Sequence, residues 1–263
     1  MEDRAPPRRR SYNQAAAPIV QISTVNTKQK ILCSDLDTEI EKHRQAGYRL
    51  DMILPASDPR EALMSKNGKT ARLVREDHRG HATQSLFSGK ERSWVQGRAG
   101  MEYRDLITAR NDVAVSHIRL TRGGPVPDYV HYHKVDFQLI YCLKGSIRVL
   151  YEDQGEPFWL EPGDCVVQPS GIRHRVLECT AGSEVVEVSM PAEHETWVEH
   201  EMSLPTSSIQ PDRQYDSQPF IHKRSMSVAE LRELLSLRGL GPESDASLSA
   251  CAAVEAARSH NAV

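Results

Sequence analysis

The chain has 263 residues, room for one sizeable domain with extensions or for two small ones. Its formal net charge of −3 gives no basic footprint for nucleic acid or an anionic membrane surface, and no apolar run has the length of a membrane span. At 39% the hydrophobic content is slightly low, so part of the chain is expected to lie outside any packed core.

Five cysteines (Cys33, Cys142, Cys165, Cys179 and Cys251) are scattered without CxxC spacing. They indicate neither a disulfide framework nor a thiolate zinc site, and they fit a reducing, cytoplasmic compartment. Residues 1–30 are rich in Pro, Arg, Ser, Asn, Gln and Ala, with little to bury, and read as a disordered basic arm. Arg8-Arg9-Arg10 is followed by no apolar stretch, so a secretory signal is not expected.

Residues 31–98 read as an α/β extension that packs on the following domain or forms an oligomer contact. Ser34-Asp-Leu-Asp37 is a capping-box-like helix start, Leu36, Ile40 and Ala46 lie near one face, and Gly47 is a stop. Tyr48 to Leu54 is an expected strand. Asn67-Gly68 between Ala62–Met64 and Ala71–Val74 is a hairpin signal, because both residues tolerate positive φ. Arg75 to Arg92 reads as a long surface loop.

From residue 99 to 205 the texture changes to closely spaced strands with regular turns, the pattern of an all-β barrel or sandwich. Nine strands are expected between Tyr103 and Met190. Residues 206–263 read as a polar linker, a helix opened by the capping box Ser227-Val-Ala-Glu230, and a tail of Ala and Ser that forms a weak helix or none. The stripe Leu231, Leu234, Leu235 and Leu237 reads as a docking or dimerisation face. Pro191 to His200, with His194, reads as the acidic exit from the last barrel strand.

The chemistry concentrates between Gly123 and Glu178. On a strand, residues i and i+2 share a face, so His131 and His133 project together. Gln138, Ile140 and Cys142 share a face on the next strand, and His174 follows the turn Pro169-Ser-Gly171. If these faces line one barrel interior, three imidazoles and one amide oxygen converge as metal ligands. Imidazole suits Zn, Cu, Fe and Ni.

This stretch resembles the cupin superfamily. The family's first motif, Gly-x5-His-x-His-x3-4-Glu-x6-Gly, is matched from Gly124 through His131, His133 and Gln138 to Gly145. Its second, Gly-x5-Pro-x-Gly-x2-His-x3-Asn, is matched from Gly163 through Pro169, Gly171 and His174 to Glu178. The resemblance implies a mainly β protein, a jelly-roll barrel (double-stranded β-helix) with a metal in its mouth, flanked by the α/β extension and the C-terminal helix. Three departures stand out: Gly124 lies one residue too far from His131, the usual Glu ligand is Gln138, and the usual Asn is Glu178. A neutral ligand set leaves the metal its full charge, which favours an anionic substrate. Glu178, four residues after His174 on the same strand, is expected to face inward and is the candidate catalytic base.

The leading expectation is a metal-dependent oxidoreductase of dioxygenase type acting on a small anionic organic molecule. Its divalent metal, Fe(II) before Mn, Ni or Zn, would be held by His131, His133, Gln138 and His174. The alternatives are non-redox Lewis-acid chemistry, as isomerase or lyase, and a barrel that binds a small ligand without catalysis. No nucleic-acid or membrane partner is expected. A homodimer is, because sheet edges need cover.

Overall fold

The computed structural model describes residues 30–76, 93–107 and 110–261. The expected N-terminal arm and most of the expected surface loop before residue 93 lie outside the described residues.

The extension comprises β1 (Lys30–Cys33), α1 (Leu36–Gln45), β2 (Arg49–Leu54), β3 (Glu61–Lys66) and β4 (Lys69–Arg75). Asp35, one residue later than the capping signal begins, is the N-cap: its side chain accepts from Thr38 N–H at 2.7 Å. The hairpin forms as expected, with Asn67 and Gly68 both at positive φ between β3 and β4. Leu36 and Ile40 of α1 bury against Ala62, Met64 and Leu73 of these strands.

The barrel strands follow: β5 (Val95–Gln96), β6 (Glu102–Asp105), β7 (Ala114–Leu120), β8 (Gly124–Pro125), β9 (His131–His133), β10 (Phe137–Lys144) and β11 (Ile147–Tyr151), then β12 (Phe158–Leu160), β13 (Cys165–Val167), β14 (His174–Cys179), β15 (Ser183–Met190) and β16 (Thr196–Val198). All nine strands expected between Tyr103 and Met190 are present. A small hairpin, β17 (Gln214–Tyr215) and β18 (Gln218–Pro219), leads to β19 (Ile221–Lys223), α2 (Val228–Leu237) and α3 (Asp245–Asn261).

Two sheets face each other. One runs β19-β13-β10-β15-β7-β6-β5; the other runs β1-β4-β3-β2-β16-β9-β14-β11-β12, with β8 also on β14. Between them lies an apolar core that includes Ile118, Cys142, Val149, Tyr151, Leu160 and Val185. The fold is thus mainly β, a cupin-type barrel with an α/β extension and C-terminal helices. β16 joins β2 to β9, so the extension continues the barrel's own sheet.

Most of the C-terminal stripe docks within the chain, while Leu237 at its end stays exposed. Leu231 and Leu235 are fully buried with α3 against the outer face of the β10–β15 sheet. The Ala- and Ser-rich tail becomes a 17-residue helix. Its small Ala246, Ala250 and Cys251 let it lie close to the sheet, so tertiary packing supplies what its amphipathicity lacks. Leu235→Ala is expected to cost about 2–5 kcal/mol of stability, the usual cost of truncating a buried leucine. Chemical denaturation checks this; a loss below about 1 kcal/mol would mean that the helix pair contributes little to the fold.

Candidate metal centre

The local pattern of β9 and β14 builds the site. His131 and His133 are buried at alternate positions of β9, with Tyr132 turned to the other side. β14 runs antiparallel beside β9 and sets His174 directly opposite His131. The turn before it is tied to the same strand, since Gly171 N–H donates to His133 O at 3.0 Å. The three rings pack with centroids 4.2–5.1 Å apart. One nitrogen from each lies within 4.8 Å of the others, a grouping that could hold a metal ion.

The tautomers are readable from the partners. His131 Nδ1–H donates to the Tyr129 carbonyl at 2.8 Å, and His174 Nδ1–H to the Ile172 carbonyl at 3.0 Å. A carbonyl only accepts, so in both rings Nε2 carries the lone pair. The same tautomer lets His133 Nδ1 donate to Thr196 Oγ1 at 2.9 Å. Thr196 sits opposite His133 on β16 and opposite Ile53 on β2, so the extension sheet places this partner. Such outer hydrogen bonds hold a ligating imidazole in position. Thr196→Val is therefore expected to weaken divalent-metal affinity about tenfold with the fold intact, measurable by titration of the metal-free protein; equal affinity would mean that packing alone orients His133.

Electrostatics keep the three imidazoles neutral. Burial depresses all of them; in His131 the nearby Arg98 and His174 add to it, and in His133 the two neighbouring rings do. His174 is pushed down to about 4, again chiefly by burial. Neutral imidazole is the metal-binding form.

Gln138 lines the cavity beside the histidines. Its Nε2 donates to Glu187 Oε1 at 2.5 Å, and its Oε1 accepts from Gln168 Nε2 at 3.4 Å. Because a carboxylate oxygen accepts, the amide orientation is set, and the Gln138 oxygen faces Gln168. Gln168 in turn accepts from the Tyr151 hydroxyl (2.9 Å) and donates to His174 Nε2 (3.2 Å). Glu187, Gln138, Gln168, Tyr151 and His174 thus form one connected network.

Glu178 does not join it. The ladder between β11 and β14 carries a bulge: Arg148 faces Glu178, but the next residue, Val149, faces Val176. The extra residue breaks the alternation assumed from His174 onward. Val176 lines the cavity, while Glu178 is 37% exposed and takes Arg148 as its partner at 2.8 Å. The inward carboxylate expected at Glu178 is instead on the outside of the barrel.

Other residues complete the site. Glu187 on β15 lines the cavity and lies opposite Ile140 across the ladder. A single Glu in the apolar run Val185-Val-Glu-Val188 was a legible sign of an inward carboxylate. His194, read from sequence as part of an acidic exit, is buried with its ring 5.1 Å from that of His133. Its Nε2 is enclosed without a partner among the described residues. Asp128 is fully buried, and its two oxygens take Arg98 Nη1 (2.6 Å) and Val176 N–H (2.9 Å). Burial opposes its charge, but the Arg98 guanidinium outweighs that, and the Val176 N–H adds to it, holding its carboxyl down at about 2. Arg98 also donates through Nη2 to His131 Nε2 at 2.8 Å. No motif pointed to Arg98, which lies 33 residues before its histidine.

The cavity measures about 80 Å³. It has apolar walls such as Ile118, Ile140, Val149 and Leu160 and a polar end of Arg98, His133, His174, Gln138, Gln168 and Glu187. At about 10–15 Å³ per enclosed water, that is room for roughly six waters or one small organic molecule.

The family model described as a cupin domain matches residues 117–190. Three solved structures align with part of the chain. An RmlC-like cupin from Shewanella frigidimarina is 20% identical over 41% of this chain and 92% of its own, with a TM-score of 0.34. KdgF from Halomonas sp. is 23% identical over 38% of this chain and 87% of its own, TM-score 0.31. Oxalate decarboxylase from Bacillus subtilis is 24% identical over 40% of this chain and 29% of its own, TM-score 0.31. A search of curated proteins finds no match. The segment that carries the three histidines belongs to the cupin superfamily. Within it, His131, His133 and His174 are grouped for a divalent metal. No helix among the described residues is long and apolar enough to cross a membrane.

Proposed function

We propose that this protein is a metal-dependent cupin enzyme of dioxygenase type, acting on a small anionic organic molecule. One observation carries the metal reading: His131, His133 and His174 converge, and each ring has its Nδ1 occupied by an outer partner. The donor set suits a borderline metal such as Fe(II), Mn, Ni or Zn. When bound, the metal supplies Lewis acidity or, if it is iron, redox chemistry. Gln138 extends the neutral set as a fourth ligand if its amide turns away from Glu187. Arg98 brings a permanent positive charge to the polar end, which favours an anion. The apolar walls restrict water around the bound molecule.

Glu187, inside the cavity, is better placed than Glu178 to move a proton. That placement favours a second reading, Lewis-acid isomerase or lyase chemistry, in which proton transfer is central. We further propose a cytoplasmic homodimer. All five cysteines are free, in keeping with a reducing compartment. The exposed edge strand β1 is a surface that a second copy could cover; a single monomeric species in sedimentation at micromolar concentration would refute the dimer.

The test is elemental analysis of untagged protein, followed by oxygen uptake with phenols and diketones. Near-stoichiometric iron with oxygen uptake supports the dioxygenase; stoichiometric Mn, Ni or Zn without it moves the assignment to Lewis-acid chemistry. Absence of metal, with none taken up after anaerobic Fe(II) addition, refutes both. In either active case Glu187→Gln is expected to lower kcat about 100-fold or more, the range of one lost acid–base group. Glu178→Gln is expected to leave it nearly unchanged. The reverse pattern would return the role to Glu178.

A further inference from the structure

We propose that Arg98 is a built-in competitor for the metal: its guanidinium holds the ligating nitrogen of His131, so divalent-metal binding requires that guanidinium to withdraw. The inference rests on the metal reading above and adds the residue that sets the site's affinity. Arg98 lies outside the segment matched by the cupin model, on the short turn Arg98–Gly100 between β5 and β6.

The contact is specific. His131 Nδ1–H is committed to the Tyr129 carbonyl, so the nitrogen that accepts from Arg98 Nη2 at 2.8 Å is the lone pair a metal would need. A lone pair cannot serve a hydrogen-bond donor and a metal at once. Charge adds to the exclusion, since a guanidinium and a divalent cation at the same nitrogen repel. By contrast, the only donor given to His174 Nε2 among the described residues is the neutral amide of Gln168.

The surroundings hold Arg98 in this place. The turn is closed by Gly97 N–H to Met101 O (2.8 Å) and Met101 N–H to Arg98 O (3.0 Å). A side chain at position 97 would collide with the Tyr103 ring, so the strap lies flush on the barrel only because that residue is glycine. Asp128 anchors the guanidinium through Nη1. Arg98 Nε is buried without a partner among the described residues, so it has a donor left for another acceptor.

Withdrawal is short-range. Asp128 can keep Nη1 while Nη2 leaves His131 and turns into the cavity, which Arg98 already lines. There the freed donors meet whatever anion the cavity holds. Metal and anion should therefore favour each other, because each benefits when Arg98 lets go of His131.

The experiment titrates Co2+ into the full metal-free chain and reads heat and visible absorption. The parent is compared with Arg98→Gln, which removes the charge, and Arg98→Lys, which can keep Asp128 but cannot fork to His131. Circular dichroism and thermal melts identify which variants fold. Arg98→Gln is expected to bind Co2+ at least tenfold more tightly than the parent, with a smaller gain for Arg98→Lys. Binding of equal or lower strength in the folded variants overturns the inference and leaves the metal reading standing. If neither the parent nor any variant binds Co2+, the metal reading fails and this inference fails with it.

Discussion

His174→Ala is expected to lose divalent-metal binding almost completely, by more than about a hundredfold in affinity. Changes to outer partners of a metal ligand already cost about 10–100-fold, and this change removes a ligand. His174 is a candidate ligand whose ring is held by several contacts. Its tautomer is set by the Ile172 carbonyl, its ring stacks on Tyr151 with centroids 5.4 Å apart, and β14 places it opposite His131. The companion measurement is thermal stability. A ligand present at about 100 times its Kd stabilises the native state by about 2.7 kcal/mol. The parent should therefore melt several degrees higher with saturating metal, and His174→Ala should show no such shift. A shift that survives the substitution would place metal binding elsewhere in the chain.

The second large effect is loss of stability in acid when no metal is bound. The folded state keeps His174 neutral down to about 4, against an ordinary value of 6.5. In that window the unfolded chain binds the extra proton, so stability rises with pH. The contribution is complete above about pH 6.5 and is lost as pH falls toward 4. For His174 alone it amounts to about 3 kcal/mol. His131 and His133 are depressed in the same direction and deepen the loss. Asp128 acts lower: its folded value of about 2 lies below the ordinary 3.8, so its contribution stands above about pH 4 and vanishes toward pH 2. Urea unfolding in chelator at pH 7.5, 5.5 and 4.5 should show the midpoint falling steeply between the first and last. A bound metal would occupy the lone pairs and should move that fall to lower pH. A flat profile would mean that the imidazoles are open to solvent in the native state.

Both effects arise from the burial of polar groups at one site. Two imidazoles, one carboxylate, two amides and a guanidinium line a largely apolar cavity, and His131 and Asp128 are buried against that guanidinium. Each is tolerable because a neighbour accepts or donates to it. The exceptions are Arg98 Nε and His194 Nε2, both enclosed without a partner among the described residues. Unpaired buried donors and acceptors are costly, and they mark where a ligand has most to offer.

The sequence by itself determined the local features. Two-residue alternation put His131 and His133 on one face, and Pro169-Ser-Gly171 announced the strand that starts at His174. Asn67-Gly68 and Ser227-Val-Ala-Glu230 marked a hairpin and a helix start that both form. These signals depend on φ preferences, caps and strand period, which act within a few residues and so are written in order along the chain. The tertiary structure decided the rest. The bulge opposite Arg148 turned Glu178 outward, and strand alternation cannot reveal where a partner strand lets an extra residue slip. Glu187 took the inward place through the pairing of β15 with β10, and His194 came beside His133 from beyond the last long strand. Arg98 reached His131 across 33 residues. These groups meet because two sheets close on one another, and apart from the apolar run around Glu187 no property of their neighbours in sequence encodes that meeting.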